Sequence, residues 1–281
     1  MSQAFARQPL TRLRPPRGWS GFDFTELVRF RNLFTALAVR DVKLRYKQTL
    51  LGIGWVVLQP LFTAGIFTFV FGVVAGMKTG SGGAYLMFSL TGLLVWNVFS
   101  SALTRSGLAM VGNAQLVTKV YFPRLILPLS SAGSTLVDFA IPASALVVWL
   151  LISGHPFSAA VALAPVWIAL ALLLALGLGL IAAALTIDYR DVQHMLPMLT
   201  PFLLYACPVA YDTSRVPERF RVLYHALNPL ASLIEAFRWS MLGGSAPSAA
   251  SVGYSATVSV LLFVLGATMF QRMERRVADV I

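Results

Sequence analysis

Apolar residues run in long blocks along this chain, and charged residues fall almost entirely between them. Gln48 to Met77 holds no Asp, Glu, Lys or Arg over 30 residues, and Thr79 to Thr104 none over 26. About 20 apolar residues in a helix cross the roughly 30 Å of bilayer hydrocarbon, so each interval predicts one transmembrane helix, over about 50–76 and 85–108. A mixed stretch with Lys119 and Arg124 follows, and then an apolar block from Leu125 to Ile187 broken only by Asp138. The 49 uncharged residues between Asp138 and Asp188 complete two helices turning at Ser153, Gly154, His155 and Pro156, which predicts spans over about 126–152 and 160–186. A short fifth span fits 194–211 and a sixth 248–270. The fold class is therefore an all-α membrane protein with six transmembrane helices in a single domain over 24–281, without internal repeats.

Two amphipathic pieces lie outside the spans. Between 24 and 47, Arg29, Arg40, Lys43 and Lys47 fall on one arc at 100° per residue, with Leu27, Phe30, Phe34 and Leu37 opposite. This predicts a helix lying in the membrane interface. In the second piece, within 215–243, Asn228 is placed to cap a helix that begins at Pro229. That helix has Leu230, Leu233, Ile234, Phe237 and Met241 on one face. Glu235 and Arg238 oppose a full crossing, so a short re-entrant or surface helix on the external side is expected.

Composition supports the same class. Hydrophobic residues make up 57% of the chain and charged residues 12%, against about 25% charged in soluble domains. The net charge of +11 is concentrated near predicted span ends, where it suits anionic lipid headgroups better than nucleic acid, and nucleic-acid binding is discounted. Ten Lys and Arg lie between 1 and 49 and three between 105 and 124; Arg190 and three at 272–276 complete one set. The opposite side keeps only Lys78, Arg215, Arg219, Arg221 and Arg238, so both termini are expected in the cytoplasm. Residues 1–23, rich in Arg and Pro, read as a mobile cytosolic tail rather than a cleaved leader.

Candidate chemistry is sparse. The chain contains no Gly-Lys pair and hence no phosphate-cradling loop of that type. Gly72 and Gly76 have the spacing of close helix packing. His155, His194 and His225 are far apart and lack metal-ligand spacing, and lone Cys207 suits a small buried apolar position. No serine sits in a Gly-x-Ser-x-Gly elbow, so neither an enzyme activity nor a metal or cofactor bound by this chain is expected. Asp138 is the one carboxylate inside a predicted span and so a functional candidate, the key acid if the chain were a proton-coupled carrier; Ser134 and Thr135, one turn earlier, are placed to satisfy it structurally. Trp55, Phe62, Phe67, Phe69 and Phe71 supply rings able to face lipid, protein or sugar.

The run Arg40-Asp41-Val42-Lys43-Leu44-Arg45-Tyr46-Lys47-Gln48-Thr49-Leu50-Leu51-Gly52, continuing to Trp55 and Leu58-Gln59-Pro60-Leu61, resembles the permease subunits of ABC transporters that export O-antigen, teichoic acid and capsular polysaccharide. The resemblance recurs from Asn113 to Arg124 with Pro128, at Tyr189-Arg190-Asp191-Val192, and at Asn228-Pro229 with Arg238. It implies a homodimer of six-helix subunits in the bacterial inner membrane, joined on the cytoplasmic side by two copies of a separate ATPase that uses ATP and Mg. Its substrate would be a lipid-linked polysaccharide, O-antigen or a relative, with teichoic acid, capsule or a small molecule as alternatives. By the same resemblance 113–124, with Asn113, Leu116, Lys119, Phe122, Pro123 and Arg124, is the ATPase-coupling segment, and Tyr189, Arg190 and Asp191 form a second contact. Arg40, Lys43, Arg45, Tyr46 and Lys47 belong to the interface helix. Phe62, Phe69, Phe202 and Tyr205 are candidates for the channel wall, and Asn228, Pro229, Glu235 and Arg238 for the external gate over 215–243. The tail of residues 1–23 matches no motif of the family.

Overall fold

The computed structural model describes residues 30–47, 54–77, 85–119 and 122–280, with side chains to Met273. The expected tail at 1–23, the start of the interface helix at 24–29, and Gln48, Lys78 and Tyr121 lie outside the described residues. Every regular element among the described residues is helical: α1 (Arg31–Tyr46), α2 (Gly54–Phe67, continued by a π-helical stretch Thr68–Val74), α3 (Tyr85–Gly107), α4 (Ala109–Gly112), α5 (Ala114–Lys119), α6 (Ile126–Ile152), α7 (Ala164–Asp188, led in by a 3-10 turn Ala159–Leu163), α8 (Val192–Ala206), α9 (Glu218–Leu227), α10 (Pro229–Leu242) and α11 (Ala249–Val280).

Five of these are long and apolar enough to cross a membrane: α2 with its continuation, α3, α6, α7 with its lead-in, and α11. The predicted fifth span is the exception. Its helix, α8, has 15 residues and two internal prolines, Pro197 and Pro201, and at about 1.5 Å per residue it reaches roughly 22 Å.

The centre of the bundle is α3, buried along most of its length and flanked by α6 and α7. Small residues let its neighbours approach closely. A Cβ at Gly266 on α11 would lie 2.3 Å from the Gly177 carbonyl of α7, and one at Gly179 would lie 2.7 Å from Ser106 of α3. Such contacts hold apolar helices together where lipid and side chain are equally apolar. By contrast α2, α6 and α11 remain largely open on their outer faces, an apolar surface for lipid or for further protein.

The Gly72–Gly76 pair does not form one packing surface. Only Gly72 is close to a neighbour, Tyr85, whereas Gly76 takes φ +62° where the π-helical stretch ends. In α1, Leu37 and Ala38 are buried. Leu37 joins an apolar cluster with Ala109, Phe122, Ile126 and Leu127, against which Phe30, Leu33, Phe34 and Leu116 pack. The apolar face of α1 thus covers protein at the start of α6. α10 is packed within the bundle: ten of its residues, Arg238 among them, are buried, and it packs against α3, α7 and α11. Its amphipathic neighbour α9 has no buried residue.

Candidate functional site

Polar side chains gather in two clusters at opposite ends of α3, at Arg105 and at Phe88, about 26 Å apart along a helix rising 1.5 Å per residue.

Asp138 of α6 holds the cluster at the α1 end. Its Oδ2 accepts from both Arg45 of α1 and Arg105 of α3, and its Oδ1 accepts from the Tyr46 hydroxyl at 2.6 Å. Arg105 also donates to Ser134 Oγ at 3.0 Å. The expectation that Ser134 and Thr135 satisfy Asp138 is corrected here: Ser134 serves Arg105 and donates to the Ser131 carbonyl, while the buried Thr135 hydroxyl has no partner. A carboxylate in a low-dielectric bundle needs opposite charge more than hydroxyl contacts, and two guanidinium groups supply it. Burial first, then the hydrogen bond to Asp138 and its charge, push the Tyr46 hydroxyl up to about 12, so it stays a neutral donor.

One turn earlier, Arg40 pairs with Asp41 at 2.8 Å and donates to Asn113 Oδ1 at 2.8 Å. Asn113 in turn donates to the Ala109 carbonyl at 2.9 Å. Arg40 and Asn113, both marked by motif and 73 positions apart, therefore tie α1 to the α4–α5 segment. Phe122 is buried beneath this joint, with Leu116 packed on the same cluster. Pro123 and Arg124 are partly buried, and Lys43, Lys47 and Lys119 are exposed. Tyr189, Arg190 and Asp191 form the α7–α8 turn at the same end of the bundle and are exposed.

Two cavities meet at Asp138. One, of about 290 Å³, lies under α1 and includes Asp41, Arg45, Arg105, Asn113 and Ser134 in its wall. The other, of about 280 Å³, lies between α2, α3 and α6. Arg45 and Asp138 border both.

The second cluster surrounds Arg238, which is buried deep within α10. Its guanidinium lies 3.5 Å from the centre of the Phe88 ring and donates to the carbonyls of Pro208 at 2.8 Å and Phe88 at 3.3 Å. Gly92 makes room for it, since a Cβ there would lie 2.8 Å from Arg238. Glu235 accepts from the Thr213 hydroxyl. Burial, opposed by Arg238 and assisted by Asp212, raises the Glu235 carboxyl to about 7. Asn228 does not cap α10 with its side chain. It donates instead to the Ala206 carbonyl at 2.9 Å, which also accepts from Tyr224 at 2.9 Å. Pro229 stands at the first turn of α10 as expected. Cys207 is buried, and His225 pairs with Ser232 at 3.0 Å.

The four aromatic candidates stay open: Phe62 and Phe69 on α2, Phe202 and Tyr205 on α8, each 62–64% exposed. Phe67, by contrast, is buried. Sequence reasoning missed Arg105 as a partner of Asp138. The available signal was a polar stripe four residues apart on α3, Asn97, Ser101 and Arg105, inside a predicted span.

A family profile described as ABC-2 type transporter matches residues 32–242. The chain is 30% identical over 255 residues to the O-antigen export system permease protein RfbA of Myxococcus xanthus, covering 90% of this chain and 97% of that one. It is 28% identical over 255 residues to the protein of the same name from Klebsiella pneumoniae, covering 89% and 95%. Identity to the polysialic acid transport protein KpsM of Escherichia coli is 24% over 245 residues, covering 85% and 92%. The matched span runs from α1 to the end of α10 and so takes in both polar clusters: the chain belongs to the ABC-2 type transporter family.

Proposed function

We propose that this chain is the membrane-spanning subunit of an ATP-driven exporter that carries lipid-linked O-antigen, or a related polysaccharide, across the bacterial inner membrane. The observation that carries this reading is similarity over at least 85% of the chain to relatives named for O-antigen export and polysialic acid transport. Teichoic acid, capsule or a small molecule is the alternative cargo on the same architecture.

In this reading the α1 end faces the cytoplasm, with both termini there, and α8 makes a sixth crossing. The excess of Lys and Arg at that end supports the orientation. The crossing is supported by the ends of α8, which starts at the exposed Tyr189–Asp191 turn and finishes where Asn228 and Tyr224 bond to Ala206. Two such chains pair, and two copies of a separate ATPase, which supplies the ATP and Mg chemistry, dock from the cytoplasm. The segment 113–124 and residues 189–191 receive the ATPase movement, and the Arg40–Asn113 bond passes it to α1. From there Arg45 and Tyr46 reach α6 through Asp138. On the far side α9 and α10 cover the exit, held by Arg238, and the open aromatics of α2 and α8 line the path at the dimer seam.

The test is export of surface glycan in a deletion strain together with ATPase activity of the co-purified complex. Substitution of Phe122, Pro123 and Arg124 is expected to stop export while hydrolysis persists. Absence of any co-purifying ATPase, with surface glycan unchanged by the deletion, would overturn the reading.

A further inference from the structure

The cavity between α2, α3 and α6 is polar where a span interior is ordinarily apolar. Asn97 and Ser101 stand one turn apart on α3, Thr135 stands on α6, and Gln59 with Trp55 stands one turn apart on α2. Thr135 is 1% exposed and its hydroxyl has no partner. Leaving a buried hydroxyl unpaired is destabilising, which a bundle tolerates where a ligand completes the bond. No hydrogen bond joins the Asn97 amide or the Ser101 hydroxyl to another described side chain. The Trp55 ring, 53% exposed, adds a flat apolar wall. Hydroxyls, amides and one aromatic face are the groups that recognise a sugar ring, whose edges are polar and whose faces are apolar.

Charge is placed at the mouth. Arg45 borders this cavity and the one under α1, and its side chain is 48% exposed. Asp138 has three donors on two oxygens, so Arg105 and Tyr46 still hold it when Arg45 turns to another anion. The volume of about 280 Å³ lies at the lower limit of small-molecule sites, roughly 300 Å³, and suits one ring rather than an oligosaccharide.

We propose that this intramembrane cavity binds a single sugar unit of a phosphate-linked glycolipid, with Gln59, Asn97, Ser101 and Thr135 hydrogen-bonding the ring, Trp55 covering its face and Arg45 taking the adjoining phosphate. The proposal rests on the exporter reading and adds a site built from helices of one subunit. It makes the first sugar, not the lipid tail, the feature selected.

The test uses the permease–ATPase complex in nanodiscs and compares, by native mass spectrometry, a polyprenyl diphosphate bearing one hexose, bare polyprenyl diphosphate and the free hexose. The wild type is expected to prefer the hexose-bearing lipid to the bare lipid about tenfold, the worth of one to two net hydrogen bonds, and to bind free hexose far more weakly. Thr135→Val with Asn97→Leu removes the preference without weakening bare-lipid binding. Thr135→Ser keeps it, and Gln59→Leu, at an exposed position, reduces it without threatening the fold. Arg45→Gln weakens both lipids alike. Equal binding of the two lipids by the wild type, or a preference untouched by these variants, overturns the proposal. Surface glycan separates the two readings: if a complemented deletion strain exports glycan and the preference is absent, only the cavity assignment is lost; if the gene is irrelevant to glycan export, the exporter reading itself is lost.

Discussion

The two polar clusters of this protein solve the same problem, a charge inside an apolar bundle, by different means. Around Asp138 the charge is neutralised by two guanidinium groups, one of them, Arg45, on a helix, α1, that touches the bundle along one face. Around Arg238 a lone guanidinium is satisfied by fixed dipoles, two backbone carbonyls and the face of Phe88, all within the packed interior. Ion pairs at half-exposed positions exchange partners with water or ligand at small cost. A guanidinium surrounded by backbone has no second arrangement available. The first cluster is therefore suited to transmit movement, the second to resist it.

The largest expected effect comes from breaking the fixed cluster. Arg238→Ala removes two charge-assisted hydrogen bonds, each worth about 1.5–3 kcal/mol, and empties a buried volume. We expect a loss on the order of 3 kcal/mol or more, measured as a fall in melting temperature or in recovery of folded protein from membranes. Arg238→Lys keeps the charge but loses the planar fork and should fall between the two. If Arg238→Ala melts like the wild type, the lock is not there.

Next in size is Asp138→Ala, which leaves Arg45 and Arg105 facing each other. Breaking a buried pair costs about 3–5 kcal/mol, and the half-exposed Arg45 reduces this, so about 2 kcal/mol is expected. Arg45→Ala should cost under about 1 kcal/mol yet expose α1 to faster hydrogen exchange. Equal destabilisation by both substitutions would erase the contrast between a movable helix and its anchor.

The last test is a pH slope. The Glu235 carboxyl has a value of about 7 when folded against an ordinary 4.5, so between these values the folded state holds the proton more tightly than the unfolded chain. Stability from this group is present below about pH 4.5 and falls as pH rises to about 7. Glu235→Gln should flatten the melting temperature across that window; an unchanged slope would show that the carboxyl is not buried as described.

How much of this was legible beforehand differs by cluster. Blocks of uncharged residues mark where five long helices run, because hydrocarbon tolerates nothing else over such a length. Arg40, Asn113 and Arg238 stood out through motifs, but not what they touch. The partners of Asp138 lie 93, 92 and 33 positions away, and nearby Ser134 and Thr135 seemed the simpler answer. Asn228 read as a cap because its local sequence allows it, and the Ala206 carbonyl, 22 positions earlier, outbid the local backbone.

By itself, then, the amino-acid order determined what depends on neighbours in the chain: the helical blocks, their apolar lengths, the charged edges, the proline at the start of α10 and the amphipathic face of α1. Tertiary structure decided which polar groups meet, that α1 rests on α6, that α10 is buried, and where two cavities open beside Asp138. The reason is physical. Helix formation and membrane partition are nearly additive along the chain, whereas pairing a buried charge depends on which helices lie side by side, and close backbone contacts such as Gly177 with Gly266 set that arrangement.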